Sequence, residues 1–265
     1  MEQAKPISFM LLTWGALLGW HLTADRLGCP IAAALLALTA GLLMLSGTEV
    51  AFYRRHAFVS HYLQPRGILF RLLGRRALML IRQGIRSLLL ALLLLTAALS
   101  FETAQWLLLL ADVFVLSALL AAFSSLLAGE VREPYRHPMG RHWAGRVNAV
   151  LLWLALATLM YFTPRENYTD LRWEEVLAFS AAQPAVACDA LELLARLAAV
   201  AEALSLWSAQ HLLVGLKEPT QAIMAWALFL AAFGASFLLA WTYSRALMGI
   251  VARPWHVWRD KPQET

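Results

Sequence analysis

Blocks of apolar residues about as long as a membrane is thick recur along this chain, and they constrain its fold more than any other feature. A helix needs about 20 mostly apolar residues to cross about 30 Å of hydrocarbon. Six segments come near this length, at residues 7–24, 29–48, 86–101, 103–128, 147–163 and 220–248. No alternating strand pattern appears, and backbone groups in lipid must be hydrogen-bonded within their own segment, so we expect helices and not a barrel.

The composition excludes most other classes of protein. Only 15% of the residues are charged, whereas a soluble domain carries about 25%. The same composition excludes disordered, collagenous and disulfide-scaffold chains. The sequence therefore predicts an all-α polytopic membrane protein of about six spans, forming one domain over residues 1–265 without a separate soluble domain.

The distribution of basic residues predicts an orientation. The connection at 49–86 holds eight arginines against Glu49, and the stretch 129–146 and the C-terminal tail are also basic. Residues 164–219 hold eight acids against four Lys and Arg residues. Because basic connections stay on the cytoplasmic side, we expect both termini to be cytoplasmic and 164–219 to lie outside. The location expected for such a chain is a bacterial inner membrane.

The segment 186–214 is long enough to span, but one of its faces is polar. At 100° per residue this face gathers six side chains, Asp189, Glu192, Arg196, Trp207, Gln210 and His211. Glu192 and Arg196 are spaced i, i+4, which allows a local ion pair. A seventh span would bury this face, so the pattern favours an amphipathic helix on the outer face or one leaning into the bundle.

Four arginines between residues 66 and 86 share one face of a predicted amphipathic helix. Arg71, Arg75, Arg82 and Arg86 fall within about 60° of one another at the helical period. Such a face suits the anionic headgroups of membrane lipids at the cytoplasmic side, and the helix could continue into the third span. Docking of a cytoplasmic protein is the alternative, and nucleic acid is not expected as a partner.

Asp112 is the ionisable residue placed deepest within a predicted span, in LLLLADVFVLSALL. A charge there costs about 2.5–3.5 kcal/mol on insertion scales, so the carboxyl must face the bundle, pair with another group or be protonated. Candidate ionisable partners are His21, Arg196 and His211, and Thr96 and Tyr161 offer hydroxyls. Two roles stay open for Asp112, a hydrogen bond that fixes helix packing and a relay for protons or cations.

The remaining Cys and His residues indicate no metal. His56 and His61, like His137 and His142, are five residues apart, which on a helix is about 140° and does not converge on one ion. His137 and His142 fall in a predicted loop, EPYRHPMGRHW, where a metal or phosphate role stays open, although ordinary interfacial histidines are favoured. We therefore expect no metal site, and no cofactor is indicated.

Cys29 and Cys188 both fall on the predicted outer side. A disulfide between them is therefore allowed, the alternative being two unrelated small apolar residues.

Two classes of function fit these features. The favoured class is a transport component, either a permease or channel subunit or the membrane anchor of a larger complex, with an unidentified substrate. The alternative is a membrane-embedded enzyme acting on a lipid-linked or quinone-type substrate, which needs acid and base groups converging at one interface; this class is disfavoured because the predicted spans hold so few polar groups. Small residues spaced by four in the second span, Ala33, Ala37 and Gly41, suit close helix packing within the chain and equally suit contact with other membrane subunits or a second copy of the chain.

Overall fold

The computed structural model describes residues 4–26, 28–62, 76–131, 133–162, 167–181, 188–214 and 219–252. Its helices are α1 (Ala4–Thr23), α2 (Cys29–Tyr62), α3 (Arg76–Leu99), α4 (Thr103–Leu126), α5 (Glu133–Phe162), α6 (Trp173–Ala181), α7 (Asp189–Val214) and α8 (Pro219–Val251). No strand occurs in these ranges. The predicted all-α class is therefore confirmed.

Four of these helices contain stretches long and apolar enough to cross a membrane. The stretches are Cys29–Glu49, Met79–Leu99, Thr103–Leu126 and Ala222–Val251. A shorter apolar helix covers Ile7–Thr23, where the first span is predicted, and the predicted span 147–163 coincides with the second half of α5. The count of six spans stays a prediction.

Six of the helices form a closed ring of contacts. Going around it, α1 packs on α4, α4 on α5, α5 on α8, α8 on α2, α2 on α3, and α3 on α1. The ring encloses a core of large apolar side chains, among them Met10, Trp20, Leu94, Leu116 and Leu247. Helices α6 and α7 pack on each other and α7 packs on α8, with a second, smaller apolar cluster between them.

The helix α3 passes into α4 through a tight hairpin. Only residues 100–102 separate the two helices. The backbone N–H of Glu102 donates to Oε1 of Gln105 at 2.9 Å. This bond satisfies a backbone donor that would otherwise be unpaired at the helix N-terminus.

The basic stretch 129–146 was expected to be a connection, and that expectation is wrong for most of it. Residues from Glu133 onward form the first half of α5, with Pro138 inside the helix. Nε of Arg136 donates to the carbonyl of Ser124 at 2.8 Å, and Gly140 lies against Phe123. These contacts with α4 stabilise a helix where Pro and Gly alone favour a loop.

Cys29 and Cys188 form a disulfide, with their Cα atoms 5.0 Å apart. The bridge that the sequence allowed, without deciding it, is thus present, and it ties the start of α2 to the start of α7. We call this end of the ring the disulfide end. The opposite end of the apolar part of α2 holds Glu49 beside three arginines, and we call it the arginine end.

Within the segment 186–214, residues Asp189–Val214 form α7, which is not one of the four span-length apolar helices. The predicted ion pair between Glu192 and Arg196 is present. Farther along its polar face, Nε1 of Trp207 donates to the carbonyl of Leu171 at 3.0 Å, and Oε1 of Gln210 accepts the backbone N–H of Tyr168 at 2.7 Å. The polar face is therefore covered in part by the chain that precedes α6.

Candidate functional site

Asp112 faces the interior of the ring. It belongs to a buried face of α4 that also includes Trp106, Leu109, Val113 and Leu116, which recur at the spacing of one helix face. Only 5% of Asp112 is exposed. The carboxyl therefore meets the expectation that an intramembrane acid turns away from lipid.

The hydrogen-bond partner of Asp112 is Asn148 on α5. Nδ2 of Asn148 donates to Oδ2 of Asp112 at 3.0 Å and to Oγ of Ser244 on α8, also at 3.0 Å. Asn148 and Ser244 are fully buried. One amide thus joins three helices, and we call Asp112, Asn148 and Ser244 the polar triad.

Two further features mark this part of the core. The hydroxyl of Tyr243 donates to the carbonyl of Leu109 at 2.9 Å, which adds a second link between α4 and α8. Oδ1 of Asn148 is buried and has no hydrogen-bond partner within the described residues. An unused buried acceptor is costly, so the triad retains capacity for one more donor.

The sequence-based partners of Asp112 lie elsewhere, and that expectation is wrong. The ring of His21 lies 5.5 Å from that of Trp106, Arg196 pairs with Glu192, and Nδ1 of His211 lies 2.9 Å from the carbonyl of Trp207. The hydroxyl of Thr96 donates within its own helix, and the side chain of Tyr161 lies outside the described residues.

Sequence reasoning missed Asn148, the actual partner. The only signal for it is an amide near the start of the apolar run VNAVLLWLALATLMYF. Because Arg146 immediately precedes this run, the amide falls at the predicted edge of the membrane and not within the bundle.

A small cleft lined by several charged residues lies at the arginine end, between α2, α5 and α8. It has a volume of about 40 Å³. Its lining residues are Ser46, Glu49, Pro138, Arg141, His142, Gly145, Arg146, Trp241, Arg245 and Met248. The lining therefore combines three guanidinium groups with one carboxylate.

Within the cleft, Glu49 and Arg141 form an ion pair with both side chains largely buried. Nε of Arg141 is also buried and has no hydrogen-bond partner in the described part of the chain. The bundle therefore holds more ionisable groups than the single Asp112 expected from the sequence, because the supposed connection 129–146 packs against the spans.

The other two arginines rest on aromatic rings. The guanidinium carbon of Arg146 lies 5.5 Å from the centre of the Trp143 ring. That of Arg245 lies 5.9 Å from the centre of the Trp241 ring. Nη2 of Arg245 donates to the carbonyl of Ser46 at 3.2 Å. These cation–π contacts hold both guanidinium groups in place.

The cleft and the polar triad are neighbours along two helices. On α8, Ser244 of the triad immediately precedes Arg245 of the cleft. On α5, Arg141 and Asn148 are seven residues apart and so share a face. Met248 packs against Gly145, and both line the cleft. Polar groups thus continue from the arginine end to Asp112.

Of the four arginines predicted to form a lipid or partner surface, Arg82 and Arg86 are exposed on α3. Arg71 and Arg75 lie outside the described residues. The described side chains include no group of three His, Cys, Asp or Glu residues that could hold a metal.

Comparison with protein-family models, with curated proteins and with solved structures finds no match for this chain. The class of protein follows from the helices themselves. Four apolar helices of membrane-crossing length, packed in an all-helical ring, define an integral membrane protein.

Proposed function

We propose that this protein is a membrane transport component, a permease or channel subunit or the membrane anchor of a larger complex, in which Asp112 takes part as a proton or cation site. The observation that carries the proposal is the polar triad. In it the amide of Asn148 on α5 donates to the carboxyl group of Asp112 on α4 and to the hydroxyl of Ser244 on α8.

The energies favour a role beyond packing. Placing a carboxylate in the middle of a span costs about 2.5–3.5 kcal/mol, whereas an interhelical hydrogen bond in a membrane contributes about 0.6 kcal/mol on average. The bond to Asn148 therefore offsets only part of the cost of Asp112. An acid retained at a net cost supports a functional site.

The test is flux through reconstituted protein. Purified protein is placed in vesicles that contain a pH-sensitive dye, or in a parallel set a potassium-sensitive dye, and a membrane potential is imposed. We expect proton or monovalent-cation flux above that of empty vesicles. Asp112→Asn should abolish the flux at an unchanged melting temperature, and Glu130→Gln, the same change at an exposed acid, should leave it intact. Wild-type flux equal to that of empty vesicles, or flux that survives Asp112→Asn, would contradict a relay at Asp112.

A second candidate is a membrane enzyme acting on a lipid-linked or quinone-type substrate. The observation in its favour is that Glu49 and His142 line one cleft with three arginines, so acid and base groups do converge at one depth. His142→Gln should abolish activity under this alternative, while Asp112→Asn should have the smaller effect. The reverse ranking supports transport.

We also propose the setting predicted from the charge pattern. The protein lies in a bacterial inner membrane with both termini cytoplasmic, together with other membrane subunits or a second copy of the chain. Purification from the native membrane in a mild detergent, followed by measurement of mass, tests this. A lone monomer of 29.5 kDa in its detergent belt contradicts the assembly.

A further inference from the structure

We propose that the cleft at the arginine end binds the phosphate group of an anionic phospholipid, whose acyl chain lies along the seam between α5 and α8. This differs from the lipid surface expected from the sequence, which is the arginine face of 66–86. The proposal stands independently of transport, because it concerns the cleft and not the polar triad.

The charge of the cleft suits an anion. Its lining holds Arg141, Arg146 and Arg245 against the single carboxylate of Glu49, and Glu49 is already paired with Arg141. No ion pair joins Arg146 to a carboxylate within the described residues. The unpartnered, buried Nε of Arg141 is a further donor at the site. Among the residues that line the cleft, three arginines therefore stand against one acid.

The size of the cleft suits a small oxyanion. A cavity needs about 10–15 Å³ to hold one water, so 40 Å³ accommodates about three groups of that size. This is close to the size of a phosphate group, whose four oxygens surround one phosphorus, and is too small for a peptide chain. Guanidinium groups bind phosphate through two parallel hydrogen bonds, and basic clefts between membrane helices are suited to lipid headgroups.

An apolar seam continues from the cleft and distinguishes a lipid from a free phosphate. Val150 and Leu154 follow Arg146 at four-residue intervals on α5 and are exposed. Between α5 and α8, the ring of Trp153 lies edge-on to those of Phe233 and Phe237, with centroids 4.5 Å and 5.7 Å away. The acyl chain of a lipid whose headgroup lies in the cleft has this aromatic and aliphatic surface directly beside it.

Two tryptophans at the cleft support its position at the level of the lipid headgroups. Trp241 lines the cleft, and Trp143 lies under Arg146. Tryptophan is enriched where headgroups meet hydrocarbon. The cleft therefore lies at the depth of the lipid phosphates, with the seam extending toward the middle of the bilayer.

The experiment measures lipid binding to the whole purified protein in an uncharged detergent. Phosphatidylglycerol is the probe, zwitterionic phosphatidylcholine and inorganic phosphate are the comparisons, and native mass spectrometry counts the adducts. We expect phosphatidylglycerol to bind and the other two to bind at least about tenfold more weakly. Arg146→Gln should raise the dissociation constant of phosphatidylglycerol by about tenfold or more, as loss of a hydrogen bond to a charged group predicts.

Arg196→Gln is the matched control, because it removes the same charge from an exposed residue of α7 and should leave the dissociation constant unchanged. Arg146 makes no described contact beyond the ring of Trp143 on its own helix, so Arg146→Gln should keep the wild-type melting temperature. Equal binding of phosphatidylcholine, full binding by Arg146→Gln, or inorganic phosphate binding as tightly as the lipid would each overturn the proposal.

Discussion

Glu49 and Arg141 lie 92 residues apart in the chain and form an ion pair that joins α2 to α5. Glu49 is 5% exposed, so its charge depends on the guanidinium for compensation. Removing one partner of a buried pair leaves the other uncompensated, whereas replacing both by apolar groups of similar size is often close to neutral.

From this pair we predict that Arg141→Met lowers the free energy of unfolding by about 3 kcal/mol. The double variant Glu49→Leu/Arg141→Met should recover most of that loss. Titration with a denaturing detergent, followed by circular dichroism, measures both. A double variant no more stable than the single one would show that the pair's charges do not depend on each other.

The contact between α8 and α2 at Gly249 predicts a steric effect. A Cβ at this position would collide with the carbonyl oxygen of Leu42, a backbone atom that cannot rotate away. Gly249→Ala should therefore destabilise the protein by about 1–3 kcal/mol, as overpacking does. Gly234→Ala, in the same helix with open space around it, should cause no loss. Equal melting temperatures for the two variants would contradict the close approach.

The polar triad predicts an energetic coupling between two helices. A double-mutant cycle with Asp112→Ala and Asn148→Ala should give a coupling of about 0.6–1.7 kcal/mol, the range measured for hydrogen bonds in membranes. The same cycle with Asp112→Ala and Trp207→Ala, which share no partner, should give nearly zero. Coupling of zero in the first cycle would show that the hydrogen bond between Asn148 and Asp112 contributes nothing to stability.

The disulfide predicts a loss of stability on reduction. Cys29 and Cys188 are 159 residues apart, and closing a loop of this length stabilises by about 5 kcal/mol in the chain-entropy model. The double variant Cys29→Ser/Cys188→Ser should therefore unfold at a lower denaturant concentration, and reductant should affect only the wild type. Mass spectrometry after alkylation without reduction checks the bond itself, and two alkylated thiols would contradict it.

The predicted orientation is tested by single cysteines in the Cys29→Ser/Cys188→Ser background. His137 and Asn167 are exposed and lie at opposite ends of α5. In intact cells, an impermeant thiol reagent should label Asn167→Cys and leave His137→Cys unlabelled until the membrane is opened. The opposite pattern would reverse the orientation, and labelling of both would contradict passage of α5 through the membrane.

Much of the fold is readable from the sequence because a membrane-crossing helix needs a long apolar run. The runs at 29–48, 103–128 and 220–248 correspond to apolar helices of the structure. Asp112 faces the core because a carboxyl in lipid is costly, and this too is a local property of α4. The side of the membrane predicted for Cys29 and Cys188 allowed a disulfide between them but did not decide it, because a bridge also requires the two Cα atoms to come close.

The hydrogen-bond partners of the polar groups could not be predicted from the sequence, because they depend on how the helices are aligned against one another. Asn148 meets Asp112 only because α5 begins at Glu133 and runs beside α4. Pro138 and Gly140 predict a loop there, and the packing of Gly140 against α4 outweighs that local preference. The cleft was missed for the same reason. The charged residues expected in the connection 129–146 belong for the most part to α5, which is one of the helices of the ring.

The second apolar cluster, formed by Tyr168, Val176, Ala203, Trp207 and Ala225, has a consequence for how the molecule opens. It is small and separate from the main core, so hydrogen exchange should find residues 167–181 and the second half of α7 opening at a lower free energy than the ring. The bond from Cys188 to Cys29 keeps the opened segment close to the ring. The segment therefore rebinds to the ring at a high effective concentration. The segment outside the ring can thus loosen repeatedly without separating from the helices on which it rests.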